Sequence, residues 1–132
     1  MNERIKSLFE DYRKAFQNLQ KAIAQSKEDD DLAIDGTIKR FELLYELSWK
    51  LMRSYLADMG IVVNNPRDTY KNSYQNGLIQ NQEVWLEMIE DRNRLVHTYT
   101  FEESRDIFNK IKKDYIHEFE FLLKKFQEVY SA

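Results

Sequence analysis

Residues 3–26 read ERIKSLFEDYRKAFQNLQKAIAQS, and the spacing within them decides the fold class. Ile5, Leu8, Phe9, Tyr12, Phe16, Leu19 and Ile23 recur every three or four positions. That is the period of an amphipathic helix, sustained over about six turns, and not the alternation of a strand.

The same period returns downstream. Ser26-Lys27-Glu28-Asp29-Asp30-Asp31 is a polar break. A second helix starts between Asp31 and Asp35, its onset blurred by Gly36, and ends at Met59 before Gly60, a natural residue to follow a helix end. Its apolar positions are Ile38, Phe41, Tyr45, Met52, Tyr55, Leu56 and Met59, and Leu43, Leu47 and Leu51 widen the arc. So wide an arc predicts contact with more than one neighbour. Asn65-Pro66-Arg67-Asp68 has the chemistry of a helix start, with a side-chain cap, proline at the first position and an acid near the positive end. That helix is short and ends near Gly77. Asn81 caps the next, which runs through Trp85 and Met88 to about His97 or Tyr99. Thr100-Phe101-Glu102-Glu103 has capping-box spacing. The last helix carries Ile107, Ile111, Tyr115, Phe119, Leu122, Phe126 and Val129 on one side. The expected architecture is all-α: an antiparallel up-and-down four-helix bundle with one extra short helix, in one domain over residues 1–132.

Bulk composition agrees. Three glycines, one proline and 33% charged residues in a chain of 132 suit long helices. No cysteine is present, which excludes disulfides and thiolate metal sites and fits a reducing cytoplasm. Met1-Asn2-Glu3-Arg4-Ile5-Lys6 lacks the apolar core of a signal peptide. No apolar run approaches the ~18 residues of a membrane span. A net charge of −3 argues against a broad phosphate-binding surface, so any nucleotide or RNA contact is local.

One stretch carries chemistry: Arg92-Asn93-Arg94-Leu95-Val96-His97-Thr98-Tyr99. On a helical wheel with Arg92 at zero, Trp85, Val96 and Ile89 fall at roughly 20°, 40° and 60°, and Met88 and Leu95 at roughly −40° and −60°. Arg92 thus lies in the middle of an apolar face predicted to pack Trp85, Met88, Ile89 and Val96 on Phe41, Tyr45, Met52 and Tyr55, and is expected to be substantially buried. A guanidinium there calls for a partner. Asn93 and His97 share the neighbouring edge, with Leu86 between them. Histidine can move a proton near neutral pH, arginine can hold a phosphate bidentately, and asparagine can orient either. Arg92 and His97 are about 140° apart, so a second copy of the helix across a two-fold axis is the expected source of the missing partner. The structural alternative pairs Arg92 with a carboxylate such as Glu46 and leaves His97 as a helix C-terminal residue.

Other candidates read as structure. Glu42 and Glu46 stack on one helix face but sit beside Lys39, Lys50 and Arg53, as a solvated, salt-bridged edge does. Arg67 and Lys71 lie on a capped surface helix. Asp29-Asp30-Asp31 lacks the glycine and distal glutamate of a calcium loop. No glycine-rich phosphate loop, zinc-ligand spacing or other metal-ligand set is found, so no cofactor and no metal are expected.

Phe41-Glu42, Glu46-Leu47, Trp49-Lys50, Gly60, Pro66-Arg67, Gly77-Leu78-Ile79, Trp85, Met88, Arg92-Asn93 and His97-Thr98-Tyr99, in that order, resemble the nucleotidyltransferase substrate-binding proteins of the HEPN superfamily. The resemblance runs from about Phe41 to the C-terminus. It implies a homodimeric four-helix bundle that works with a separate minimal nucleotidyltransferase in a two-gene module of toxin–antitoxin type. In related HEPN toxins an Arg, the polar residue after it and a His form a metal-independent ribonuclease site at the dimer interface, and Arg92, Asn93 and His97 match that pattern. Some relatives carry a Tyr two residues after the His that the partner adenylylates, and Tyr99 matches it. Asp68-Thr69-Tyr70-Lys71 lacks the arginine many relatives place before the tyrosine. Two readings follow: a non-catalytic substrate- or nucleotide-binding subunit using Arg92, Asn93, His97 and Tyr99, or a ribonuclease with Arg92, Asn93 and His97 as catalytic residues. A purely structural bundle is the third.

Overall fold

The computed structural model describes residues 2–27 and 29–131; Glu28, in the polar break, lies outside them. The helices are α1 (Glu3–Gln25), α2 (Asp31–Asp58), α3 (Pro66–Gln75), α4 (Gln82–Arg94), α5 (Phe101–Lys110) and α6 (Ile116–Ser131), with a π-helical turn at Ile111–Tyr115 joining the last two into one long rod. No strand occurs among the described residues. The rod, α1, α2 and α4 make the antiparallel bundle, and α3 is the extra short helix.

The ends follow from local chemistry. Asn2, Asp30, Asn65, Asn81 and Thr100 each accept a backbone N–H of the first turn they precede. Thr100 and Glu103 close the reciprocal capping box. Gly60 and Gly77 have φ of 86° and 77°, the left-handed conformation that lets α2 and α3 stop. There Ile61 N–H bonds Leu56 C=O at 2.9 Å and Leu78 N–H bonds Ser73 C=O at 2.9 Å.

The core is aromatic. Phe41 on α2 stacks on Tyr115 at 5.6 Å between centroids and meets Phe119 edge-on at 6.1 Å. Phe119 in turn meets Trp85 of α4, which packs on Tyr70 of α3 at 5.1 Å. The Tyr12 hydroxyl donates to the Phe119 carbonyl at 2.6 Å and ties α1 to α6. The π turn has a sequence cause. Ile107, Ile111, Tyr115 and Phe119 are all buried at four-residue steps. Each such step overshoots a turn by about 40°, so an ordinary helix would rotate the fourth side chain out of the core. One wide turn keeps all four inward.

Some expected core positions are exposed. Met59 and Val129 lie on the surface, at the ends of their apolar stripes, and Leu43 is exposed on α2. Among the described residues no helix is long and apolar enough to cross a membrane.

Glu118 is buried beside Trp85 in the first turn of α6. Burial raises its pKa above the ordinary 4.5, against weaker opposing pulls from the Trp85 indole and the Gln80 amide. The indole lies near the carboxylate, but neither Trp85 Nε1 nor Glu118 Oε1 closes a hydrogen bond of ordinary geometry. A raised native pKa means the folded state holds the proton more tightly than the unfolded chain. The group's contribution is full below the unfolded value and is lost as pH rises through the native one. Glu118→Gln, which stays neutral, should therefore melt higher than wild type at pH 7, with the gap closing below about pH 4. Melting curves across pH 3–8 measure this.

Candidate functional site

The C-terminal end of α4 meets the middle of α2 across an open cleft of about 360 Å³. Arg92 and Asn93 come from α4; Tyr45, Glu46 and Trp49 come from α2, within about one turn of each other. Arg92 Nε pairs with Glu46 Oε1 at 3.6 Å. Glu46 is itself held in place: the Trp49 indole donates to its Oε2 at 3.2 Å, and Lys50 stands 4.0 Å from the same oxygen. One face of Trp49 is covered by the Arg53 guanidinium, 4.9 Å from the ring centre. The two terminal amino groups of Arg92 form no hydrogen bond or ion pair among the described residues. They are free to grip an anion bidentately.

Arg92 is therefore paired as the wheel required, but it is not in the middle of the apolar face. Its side chain is 31% exposed and that of Glu46 35%. The face is centred elsewhere because the helix ends early. α4 stops at Arg94, and Val96 and His97 N–H groups reach back three residues, to Asn93 and Arg94 carbonyls at 3.3 Å, in a tightening turn. Leu95 takes the core position and Val96, expected inside, is 57% exposed. Without Val96, the inward arc runs through Trp85, Met88, Asp91 and Leu95, and Arg92 falls on its edge.

Asn93 is exposed on the rim of the cleft, and His97 is exposed on the turn beyond α4, outside the cleft lining. Within one chain, then, Arg92 and Asn93 share a site and His97 stands apart. Tyr99 is half-buried against the core and follows in the segment before Thr100. Its phenol is held above the usual range first by burial, then by the negative charges of Asp35 and Glu42 on α2. Leu86 lines a different surface depression with Arg67 and Glu90. Arg67 forms an exposed ion pair with Glu90 at 3.7 Å, as a capped surface helix would.

The buried charge of α4 is Asp91, which wheel reasoning passed over. Its side chain is 2% exposed. Lys110 Nζ donates to both oxygens, at 3.4 and 3.2 Å, Arg94 reaches Oδ1 at 3.4 Å, and the Tyr115 hydroxyl donates to Oδ2. Burial, then the bond to Asp91, raises the Tyr115 pKa far above its ordinary value. Arg94 also reaches Glu103 of the capping box at 3.3 Å. Asp91 thus ties α4 to α5 and the π turn at the point where Arg92 begins the site. The signal was present in sequence: Trp85, Met88 and Asp91 are spaced three apart, and a four-residue step from Asp91 reaches Leu95. No group of three or more His, Asp or Glu among the described residues could hold a metal.

The molecule is thus a small helical bundle with an arginine-bearing cleft between its second and fourth helices. It belongs to the family described as nucleotidyltransferase substrate binding protein like, whose model matches residues 7–128. The chain is 30% identical over 103 residues to a probable ribonuclease HepT of Haemophilus influenzae, covering 74% of this chain and 70% of that protein. Two solved structures share the fold. One, a protein of Thermus thermophilus, superposes with a TM-score of 0.78 at 28% identity, over 86% of this chain and 97% of that one. The other, from Haemophilus influenzae, is described as revealing the fold of a substrate binding domain of a nucleotidyltransferase. It has a TM-score of 0.77 at 27% identity, over 89% of this chain and 97% of its own.

Adjacent residues should behave differently. Asp91→Ala strands the buried Tyr115 hydroxyl and should cost about 1–3 kcal/mol. Arg92→Ala breaks only a half-exposed pair and should cost under about 1 kcal/mol. Urea unfolding of both variants measures this; equal losses would mean that Arg92, not Asp91, is the structural charge.

Proposed function

We propose that the protein is the non-catalytic subunit of a two-component nucleotidyltransferase, binding substrate or nucleotide beside a separate minimal catalytic chain in a two-gene module of toxin–antitoxin type. The supporting observation is the Arg92 cleft. Its guanidinium is oriented by Glu46 through one nitrogen and left open through the other two, next to the Asn93 amide and the half-buried Trp49 ring, with Tyr45 buried beneath. A phosphate suits the open fork. Family membership and the likeness to a nucleotidyltransferase substrate binding domain support the same reading. The proposed unit is one cytoplasmic domain that pairs as a homodimer, bringing two α4 ends together. In that dimer the exposed His97 of one copy has a route to the Arg92–Asn93 pair of the other.

The likeness to a probable ribonuclease favours a second reading, in which that shared site cleaves RNA without metal. His97 would exchange a proton with the 2′-hydroxyl or leaving oxygen, Arg92 would stabilise the charge developing on phosphate, and Asn93 would position the scissile group.

Tyr99 offers the sharpest test of the pairing. Its phenol is half-buried, and burial and then the negative charges of Asp35 and Glu42 hold it in the protonated form. Incubation with the nucleotidyltransferase of the same operon and ATP should add one AMP to Tyr99, read by mass spectrometry. The two chains should also co-purify. Failure of both, with an active partner, would refute the pairing. On the ribonuclease reading, RNA is cut in the presence of EDTA and His97→Ala abolishes cutting. Intact RNA with wild type would leave the binding reading alone.

A further inference from the structure

The elbow where α1 hands over to α2 holds an open cavity of about 380 Å³. It lies on the α1 side of α2, and Gly36 at its floor is about 15 Å along the helix from Glu46. Lys21 and Arg40 line it, and among the described residues no carboxylate does. Among the described residues neither cation is paired with a carboxylate. The Asn18 and Gln25 amides flank Lys21 on the same face of α1. Below them the elbow is fixed: Ser26 Oγ and the fully buried Thr37 Oγ1 are hydrogen-bonded at 2.9 Å, and Thr37 also donates to the Ala33 carbonyl at 2.9 Å.

Gly36 carries the argument further. It sits inside a 28-residue helix, where glycine is less stable than alanine. Its φ is not positive, unlike that of Gly60 and Gly77, so the backbone does not require glycine there. What the missing side chain does is open the floor. The Arg40 guanidinium lies over that floor, donating to the Gly36 carbonyl at 3.1 Å, and a Cβ would sit 3.4 Å from its Nη1. Leu32, 83% exposed on the rim, offers apolar surface to an organic group.

From these the geometry points to a second anion site, taking a small phosphate monoester with its phosphate between Lys21 and Arg40 and its organic part against Leu32. The volume is that of a small-molecule site. Asp29, Asp30 and Asp31, at the start of α2, do not line the cavity, so the attraction is local and the affinity modest. This assignment does not depend on a nucleotidyltransferase partner or on the Arg92 cleft.

AMP and inorganic phosphate, titrated separately into the isotope-labelled protein, test it by backbone amide shifts. The Gly36, Thr37 and Arg40 amides should move saturably with AMP and less tightly with inorganic phosphate. Lys21→Gln and Arg40→Gln, both on exposed positions, should each weaken AMP binding about tenfold. Gly36→Ala should raise the melting temperature, and its methyl group, in ordinary contact with the Arg40 guanidinium, should weaken AMP binding less than removal of either charge. A glycine without a binding role would give the first effect and not the second. Absence of saturable shifts at the elbow overturns the site, as does AMP binding there that is unchanged in Lys21→Gln and Arg40→Gln. Shifts confined to Arg92 and Asn93 overturn the elbow site and leave the cleft standing.

Discussion

The arrangement depends on one buried carboxylate. Asp91 is taken out of water in a bundle whose core is mostly apolar and aromatic, a costly placement unless donors surround it. Tyr115, Lys110 and Arg94 supply them from the π turn, from the end of α5 and from α4 itself. The π turn is therefore more than a repair of the apolar register. It sets Tyr115 so that its ring stacks on Phe41 while its hydroxyl reaches Asp91. One side chain serves the core and the polar anchor together. Arg94 extends the anchor to Glu103, whose carboxylate closes the cap of α5. Helix α4, the turn carrying His97, and the start of α5 are fastened through this network.

Fastening α4 at Asp91 frees the next residue. Arg92 does not have to stabilise the core, and its one short-range partner, Glu46, leaves most of its donors available. A charge needed for packing would be buried and saturated, as Asp91 is. A charge needed for a ligand is better oriented by one contact and open elsewhere. The contrast between neighbours 91 and 92 separates anchor from site along a single turn of helix. The same contrast appears at the elbow, where Thr37 is buried and bonded while Lys21 and Arg40 lie open above it.

Much of this was legible in the chain. The period of Ile5 to Ile23, the Asn65-Pro66 start, the Thr100 capping box and the glycines at 60 and 77 fix the helices and their ends, because each acts within a few residues. Pairing of Arg92 with Glu46 was also accessible, since a guanidinium near an apolar face narrows the choice of partners. The end of α4 was not. No glycine or proline marks it, and the cap of the following helix competes with continuation through Val96 in a way that spacing cannot weigh. Ending the helix at Arg94, and not at His97 or Tyr99, shifted the inward arc from Arg92 toward Asp91. The Asp91 network joins residues up to 24 apart, with geometry set by a π turn whose only trace is the run of four-residue steps from Ile107 to Phe119. Family likeness named Arg92, Asn93, His97 and Tyr99 together, while the folded chain gathers only the first two in one cleft.

The central functional claim is that the open fork of Arg92 binds phosphate. Calorimetric titration with ATP, using wild type and Arg92→Ala with Lys21 and Arg40 both replaced by glutamine, addresses that claim without interference from the elbow. Affinity should fall about tenfold or more on loss of Arg92, while the melting temperature barely changes. Equal affinity with and without Arg92, or no binding by either protein, would contradict the assignment of the cleft.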